Sequence, residues 1–166
     1  MSSKSQILQA VRARTLEPVE LPGLNRNWIQ YEDRARQFAD ALKSVGGTCV
    51  FLESRKSLLE KLAEHPAFGS AKKIVSLIPE APGNLDLETV VDPHEVEDVD
   101  FAIMPGQFGV AENGAVWTTD AGVKHRAIYF IVQHLVLVID ADQIVDNMHQ
   151  AYEKLTLPER GFSAFI

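Results

Sequence analysis

The chain has 166 residues, of which 46% are hydrophobic, and a formal net charge of −7. This length suits a single domain with one core, and no apolar run approaches the roughly 20 residues that span a bilayer. The first residues lack the apolar stretch of a signal peptide. We therefore expect a cytoplasmic protein without a membrane span.

Acidic residues dominate the middle of the chain. Between Ile74 and Val123 the sequence has no lysine or arginine but many aspartates and glutamates. We interpret residues 80–100 as a solvated acidic loop. Because an acidic surface repels phosphate backbones, the charge pattern argues against a nucleic-acid partner.

The single cysteine, Cys49, lies in an apolar run and is expected to be a buried, inert thiol. One cysteine permits neither an internal disulfide nor a self-contained iron–sulfur cluster, which takes several thiolates. Any redox role would then have to be carried out through partner proteins.

Hydrophobic periodicity predicts the elements in chain order. A short helix at 5–14 and an extended connector at 17–27 form an N-terminal segment, 1–27, ahead of a main domain, 28–166. The elements predicted for the first half of that domain are a helix at 28–45, a strand at 48–52, a helix at 54–65 and a buried strand at 73–78.

Residues 79–97 are predicted to be irregular. The elements predicted after them are strands at 99–103, 115–119 and 134–139, an apolar segment of undefined type at 125–132, and a helix at 142–155. Alternating strands and helices predict an α/β fold with a mainly parallel sheet flanked by helices. The β-branched run at 134–139 is typical of a buried parallel strand.

The segment Gly109-Val110-Ala111-Glu112-Asn113-Gly114 is the strongest functional candidate. Its glycines, Gly109 and Gly114, permit a positive φ and a close approach of the backbone to a ligand. Glu112 is a candidate catalytic nucleophile, general base or anchor for a polar ligand, and a solvated turn glutamate is the alternative. Asn113 either donates to an anion or occupies a left-handed turn position.

Two residues further along the chain are also ligand-binding candidates. Arg126 carries a planar guanidinium that binds carboxylates through two parallel bonds, and a salt bridge to Asp120 is the alternative. His134 begins a buried strand, either as an acid–base group or as a structural imidazole. His94 and His125 lack a convincing ligand spacing, so we expect no metal site.

These pieces, in this order, resemble the lactate-utilization (LUD) domain family, and more narrowly its small, cluster-free lactate utilization protein C type, which is DUF162-like. The resemblance covers roughly residues 30–160. It rests on the strand at 99–103, the segment 109–116, Arg126, the run His134-Leu135-Val136-Leu137-Val138, and the following Ile144-Val145.

The resemblance implies a fold like that of the NagB/RpiA/CoA-transferase group. It also implies a role in oxidising L-lactate to pyruvate beside partner proteins that carry iron–sulfur clusters, with no cofactor on this chain. The chain would bind a small carboxylate or its partner subunits, and whether it is itself an enzyme stays open.

Two departures from the family pattern accompany the resemblance. Asn113 and Ala115 stand where the family usually has threonines. Family members also continue beyond Ile166 with a further segment and a last strand. If that segment is truly absent, we expect an exposed sheet edge that favours pairing with another chain.

A second resemblance supplies a competing hypothesis. Glu112-Asn113-Gly114 is similar to the Ser-Glu-Asn-Gly motif of the 3-oxoacid CoA-transferase beta subunit, whose glutamate attacks the acyl-CoA and carries CoA as a thioester. The alternative function is therefore a CoA-handling enzyme that uses Glu112. Only Lys124 and Arg126 lie close enough in sequence to neutralise CoA phosphates, which argues against it.

Overall fold

Two small sheets form the framework of the molecule. The computed structural model describes residues 3–14, 19–20, 23, 26–155, 157 and 161–166. Its strands are β1 Ile74–Ser76, β2 Phe101–Pro105, β3 Phe108–Val110, β4 Val116–Thr119, β5 His134–Val138, β6 Ile144–Val145 and β7 Ser163–Phe165. Its α-helices are α1 Ser3–Ala13, α2 Arg34–Ser44, α3 Leu58–Ala63, α4 Ile128–Ile131 and α5 Met148–Lys154.

The first sheet is parallel, with the order β1-β2-β5. The central strand β2 is buried because helices cover both of its faces. Leu58 of α3 packs in one core cluster with Ile103, and Ile128 of α4 packs in another with Met104. This parallel sheet with flanking helices confirms the predicted α/β fold class.

The second sheet is mixed and has the order β6-β3-β4-β7. β3 and β4 form an antiparallel hairpin, β6 joins β3 in parallel, and β7 joins β4 antiparallel. Phe108, Trp117 and Phe165 pack together on one side of it. The sequence analysis predicted neither β3 nor β7: each is only three residues long, and β7 pairs with β4, which lies more than forty residues away.

The predicted helix at 142–155 is wrong in its first half. Ile144 and Val145 pair with Gly109 and Val110 as β6, and α5 begins only at Met148. A β-branched pair is well suited to a strand. The apolar spacing of the predicted helix does not reveal the strand partner that Ile144 and Val145 find in β3.

The predicted helix at 28–45 begins late, at Arg34. Asp33 caps it by accepting the Arg36 N–H at 2.9 Å, and residues 28–31 have no regular secondary structure. The helix predicted at 54–65 is shorter as well, a 3-10 turn at Arg55–Ser57 followed by α3.

No strand forms at 48–52. Phe51 is 61% exposed, and Cys49 is half-buried rather than buried. Partial burial still raises the pKa of the Cys49 thiol, which keeps it protonated and unreactive at neutral pH.

The N-terminal helix is present as α1, and none of its residues is buried. The connector predicted at 17–27 lies largely outside the described residues. No helix in the described part of the chain is both long and apolar enough to cross a membrane.

Candidate functional site

The Gly109–Gly114 segment runs from β3 into the turn before β4. Gly114 adopts a φ of +74°, and a Cβ at this position would lie 2.7 Å from Leu42 N. Asn113 Oδ1 accepts the Ala115 N–H at 3.0 Å, as in an Asx turn. The left-handed residue of this turn is therefore Gly114 and not Asn113.

Gly109 lies inside β3 and is buried. A Cβ there would stand 2.9 Å from Ile139 Cδ1 and 3.0 Å from Phe38 Cε2. The missing side chain lets α2 and the end of the parallel sheet pack closely against the hairpin.

Glu112 is exposed and is held at the start of α5. Its Oε2 accepts the Met148 N–H at 2.9 Å, and its own N–H donates to the Asp146 carbonyl at 3.0 Å. A carboxylate at this position satisfies one of the N–H groups that a helix start leaves unpaired. In the described part of the chain Oε1 makes no hydrogen bond, so that oxygen stays available to a ligand.

Asp146 is the buried carboxylate next to Glu112, and only 1% of it is exposed. Its Oδ1 accepts the Tyr31 N–H at 2.9 Å and Arg34 Nε at 3.0 Å. Burial by itself would raise the pKa of Asp146, but hydrogen bonds with Tyr31, Arg34 and Gln150 outweigh it and hold the pKa below its usual value. Asp146 is therefore ionised at neutral pH.

Residues 28–31 lie against the start of α5. The Trp28 ring stacks on His149 with centroids 3.4 Å apart. Asn147 Nδ2 donates to the Ile29 carbonyl at 2.8 Å, and Asn147 Oδ1 caps α5 by accepting the Gln150 N–H at 3.1 Å. These contacts fix the segment that carries Tyr31 and leads to Arg34.

Sequence reasoning missed this cluster. The available signal was the spacing of Asn147 and Gln150, which matches a helix cap and its third helical residue. Starting the helix at Met148 on that ground leaves Asp146 outside it, free to turn inward.

The Arg34 side chain is held in one position and is also exposed to solvent. Its Nε is fixed by the buried Asp146, while its side chain is 51% exposed. Its terminal nitrogens bond no other residue in the described ranges. Such a guanidinium is oriented in advance to bind a carboxylate ligand.

The structure does not bring Arg126 into this cluster. Arg126 is exposed ahead of α4 and forms no ion pair with any residue whose position is described. The alternative salt bridge to Asp120 is not made; Asp120 Oδ2 accepts the Phe162 N–H at 2.9 Å.

His134 lies at the amino end of β5, away from the hairpin. The hairpin instead follows the carboxyl end of β2, at the opposite end of the parallel sheet. There Gly106 N donates to the Val138 carbonyl at 2.9 Å. Val138 lies four positions beyond His134 along the strand, about 13 Å away at the usual rise. The His134 ring stacks on Phe101 with centroids 4.5 Å apart, a contact that favours the structural interpretation.

Two open depressions lie elsewhere on the surface. The larger, about 350 Å³, is at the carboxyl end of β1 beside Ser76 and Pro82, and the other, about 240 Å³, lies beside α3. No group of three histidine, cysteine, aspartate or glutamate side chains in the described ranges has the geometry to hold a metal ion.

Comparison with known proteins bears on the segment that contains Glu112. The family model of the LUD domain matches residues 84–163. The fold is similar to the crystal structure of a DUF162 family protein from Deinococcus radiodurans, with a TM-score of 0.62 and 20% identity over 72% of this chain and 76% of that chain. At this identity the likeness shows the fold alone. No curated protein matches the chain in sequence.

Proposed function

We propose that this chain is a member of the LUD domain family, whose model matches residues 84–163, and that it is a cluster-free component of a cytoplasmic system that oxidises L-lactate to pyruvate. Its single cysteine cannot hold an iron–sulfur cluster by itself. Electrons released from lactate therefore pass to clusters on partner proteins.

The ligand-binding face in this proposal is formed by Glu112, Arg34 and the start of α5. Both residues are hydrogen-bonded to Asp146. The Glu112 N–H donates to its backbone carbonyl, and Arg34 Nε donates to its carboxylate. The observation that carries the proposal is the state of Glu112, a carboxylate in the LUD segment oriented through one oxygen and exposed at the other.

The two side chains match the two functional groups of a small 2-hydroxy acid. The Arg34 fork binds the ligand carboxylate, and Glu112 Oε1 accepts a hydrogen bond from the ligand hydroxyl. Pyruvate carries a carbonyl in place of that hydroxyl and donates no such bond. We expect this face to bind L-lactate more tightly than pyruvate.

Calorimetric titration of L-lactate into the purified chain tests this site. Glu112→Gln keeps an oxygen for the Met148 N–H but removes the charged acceptor, so we expect lactate binding about tenfold weaker with unchanged stability. Arg34→Lys loses the planar fork and should weaken binding similarly. Arg126→Lys is the matched control and should bind as the unsubstituted chain does.

Growth of strains that carry the same variants tests the proposed role in lactate oxidation. A strain that lacks the gene should grow poorly on L-lactate, and Glu112→Gln should not restore growth although it folds. Normal growth of the deletion strain would overturn the lactate role. If Arg126→Lys were the one variant that lost lactate binding, the binding site would instead lie beside α4.

The alternative, a CoA-handling enzyme, draws on the same exposed Glu112. A panel of acyl-CoA compounds with hydroxylamine trapping would modify Glu112 if it forms a thioester. A trapped Glu112 in a chain that does not bind lactate would replace our proposal with the alternative.

A further inference from the structure

The ring contact between Trp28 and His149 is a direct sandwich. Both side chains are half-buried, and their rings lie face to face, with centroids 3.4 Å apart and planes inclined by 20°. At this centroid distance the rings have almost no lateral offset. Two neutral aromatic rings prefer an offset or edge-to-face arrangement, because the negative faces of a sandwich repel each other.

The same geometry is favourable when one of the two rings carries a positive charge. A cation within about 6 Å of a ring centroid is attracted to the ring face, and tryptophan binds it best. His149 is the ring of this pair that takes up a proton, since histidine changes its charge between about pH 5 and 8. The stack therefore fits a protonated His149 better than a neutral one.

The charged groups around His149 are compatible with a proton on its ring. The start of α5 opposes a positive charge through the helix dipole, but the Glu112 carboxylate is bound at that start, to Met148 N. Glu153 lies four residues beyond His149, on the same side of α5. The other charged residues on α5, on segment 26–34 and directly after β6 are Arg26, Glu32, Asp33, Arg34, Asp146 and Lys154.

The two cations of that set with described contacts are already paired. Arg34 Nε is bound to the Asp146 carboxylate, and Lys154 Nζ donates to Gln143 Oε1 at 2.7 Å and lies over the Phe108 ring. The surroundings of His149 therefore contain more unpaired negative charge than positive charge.

The stack attaches the segment that leads to Arg34. Next to it, Asn147 Nδ2 donates to the Ile29 carbonyl, and the Tyr31 N–H donates to Asp146 Oδ1. A stronger attachment of Trp28 to α5 therefore also holds Tyr31 and Arg34 more firmly at Asp146.

We propose that Trp28 and His149 form a pH-sensitive clasp, which attaches residues 28–31 to α5 most firmly when His149 is protonated. The added stabilisation is present below the titration range of histidine and is lost as the pH rises through it. Asp146 loses its charge only in stronger acid, since its pKa lies below the usual value. A firmer hold on Arg34 would favour the ligand proposed above, a consequence that rests on the proposed function.

A double-mutant cycle measures the clasp. Urea denaturation of the full chain, Trp28→Leu, His149→Gln and the double variant gives the coupling between the two side chains, at about pH 5.5 and about pH 8. The cycle cancels the titration of the other histidines because each variant retains them. We expect the coupling, as a ratio of unfolding equilibrium constants, to be about two- to fivefold larger at the lower pH. A coupling that is equal at both pH values, or larger at the higher one, overturns the proposal.

His149→Phe is the matched control, because it keeps a stacked ring that cannot be charged. Its coupling to Trp28 should be the same at both pH values. A coupling that still increases in acid would assign the pH dependence to another group and overturn the proposal as well. Both measurements are made without lactate, so they test the clasp whether or not the Arg34 face binds a 2-hydroxy acid.

Discussion

Asp146 determines how Arg34 and residues 28–31 are held. Replacing it with Asn keeps an acceptor for the Tyr31 N–H but removes the charge that binds Arg34. We expect Asp146→Asn to lower the free energy of unfolding by about 1–3 kcal/mol, measured by urea denaturation. Asp142→Asn, an exposed control in the same segment, should change it by less than about 0.5 kcal/mol. Equal effects of the two variants would contradict this role.

The pH dependence of stability follows from the lowered pKa of Asp146. Because the folded-state pKa lies below the unfolded value of about 3.9, the stabilisation is fully present above that pH and is lost as pH falls towards the folded pKa. Asp92 and Asp100 also have lowered pKa values, so the unsubstituted chain must be compared with Asp146→Asn. The difference in stability between the two should shrink in acid.

Two constraints require glycine at position 114: its left-handed backbone conformation and its close contact with α2. A comparison with Gly122 separates the two. Gly114 and Gly122 have nearly the same φ, +74° and +73°, but only at Gly114 would a Cβ contact another residue, the backbone of Leu42. Gly122→Ala should therefore cost about 1–2 kcal/mol, the strain of the left-handed conformation. Gly114→Ala should cost about 1–3 kcal/mol more because it also forces α2 outward.

Thermal denaturation of both variants measures this difference. Similar losses would show that Leu42 and α2 shift without cost. In that case Gly114 serves only the turn conformation and not the packing of α2 on the hairpin.

At the scale of elements, the sequence patterns predicted those strands and turns whose structure is determined by residues close together in the chain. The apolar runs of β1, β2 and β5 were predicted to within a few residues, since strands buried on both faces are apolar throughout. The Gly109–Gly114 turn was found from its glycines and asparagine. Glu112 was chosen as a functional carboxylate; the structure shows it exposed, and its ligand-binding role stays a prediction.

The features that sequence patterns did not predict depend on contacts between residues far apart in the chain. Ile144 and Val145 fit a helical spacing, and only the edge of β3 turns them into β6. Asp146 is an unremarkable acid in the sequence, and its importance arises because Tyr31 and Arg34, over a hundred residues away, bind it. Tertiary pairing of this kind overrides local preference.

The whole molecule is predicted to divide near residue 27. α1 buries none of its residues, and its apolar Ile7 and Val11 are 64% and 65% exposed. Trp28 and Tyr31, by contrast, contact the start of α5 through the His149 stack and the Asp146 carboxylate. We therefore expect the boundary between the N-terminal segment and the main domain to lie between α1 and Trp28.

Two truncations placed on either side of that boundary test it. Removing residues 1–27 should leave the free energy of unfolding within about 0.5 kcal/mol of the full chain, because α1 buries none of its residues. Removing residues 1–31 also takes away the Trp28 stack and the bonds of Ile29 and Tyr31 to Asn147 and Asp146. It should cost about 2–4 kcal/mol, since it leaves a buried carboxylate short of a donor. A large loss already in the first truncation would mean that α1 or the connector contributes to the core, and the main domain would then have to begin earlier than residue 28.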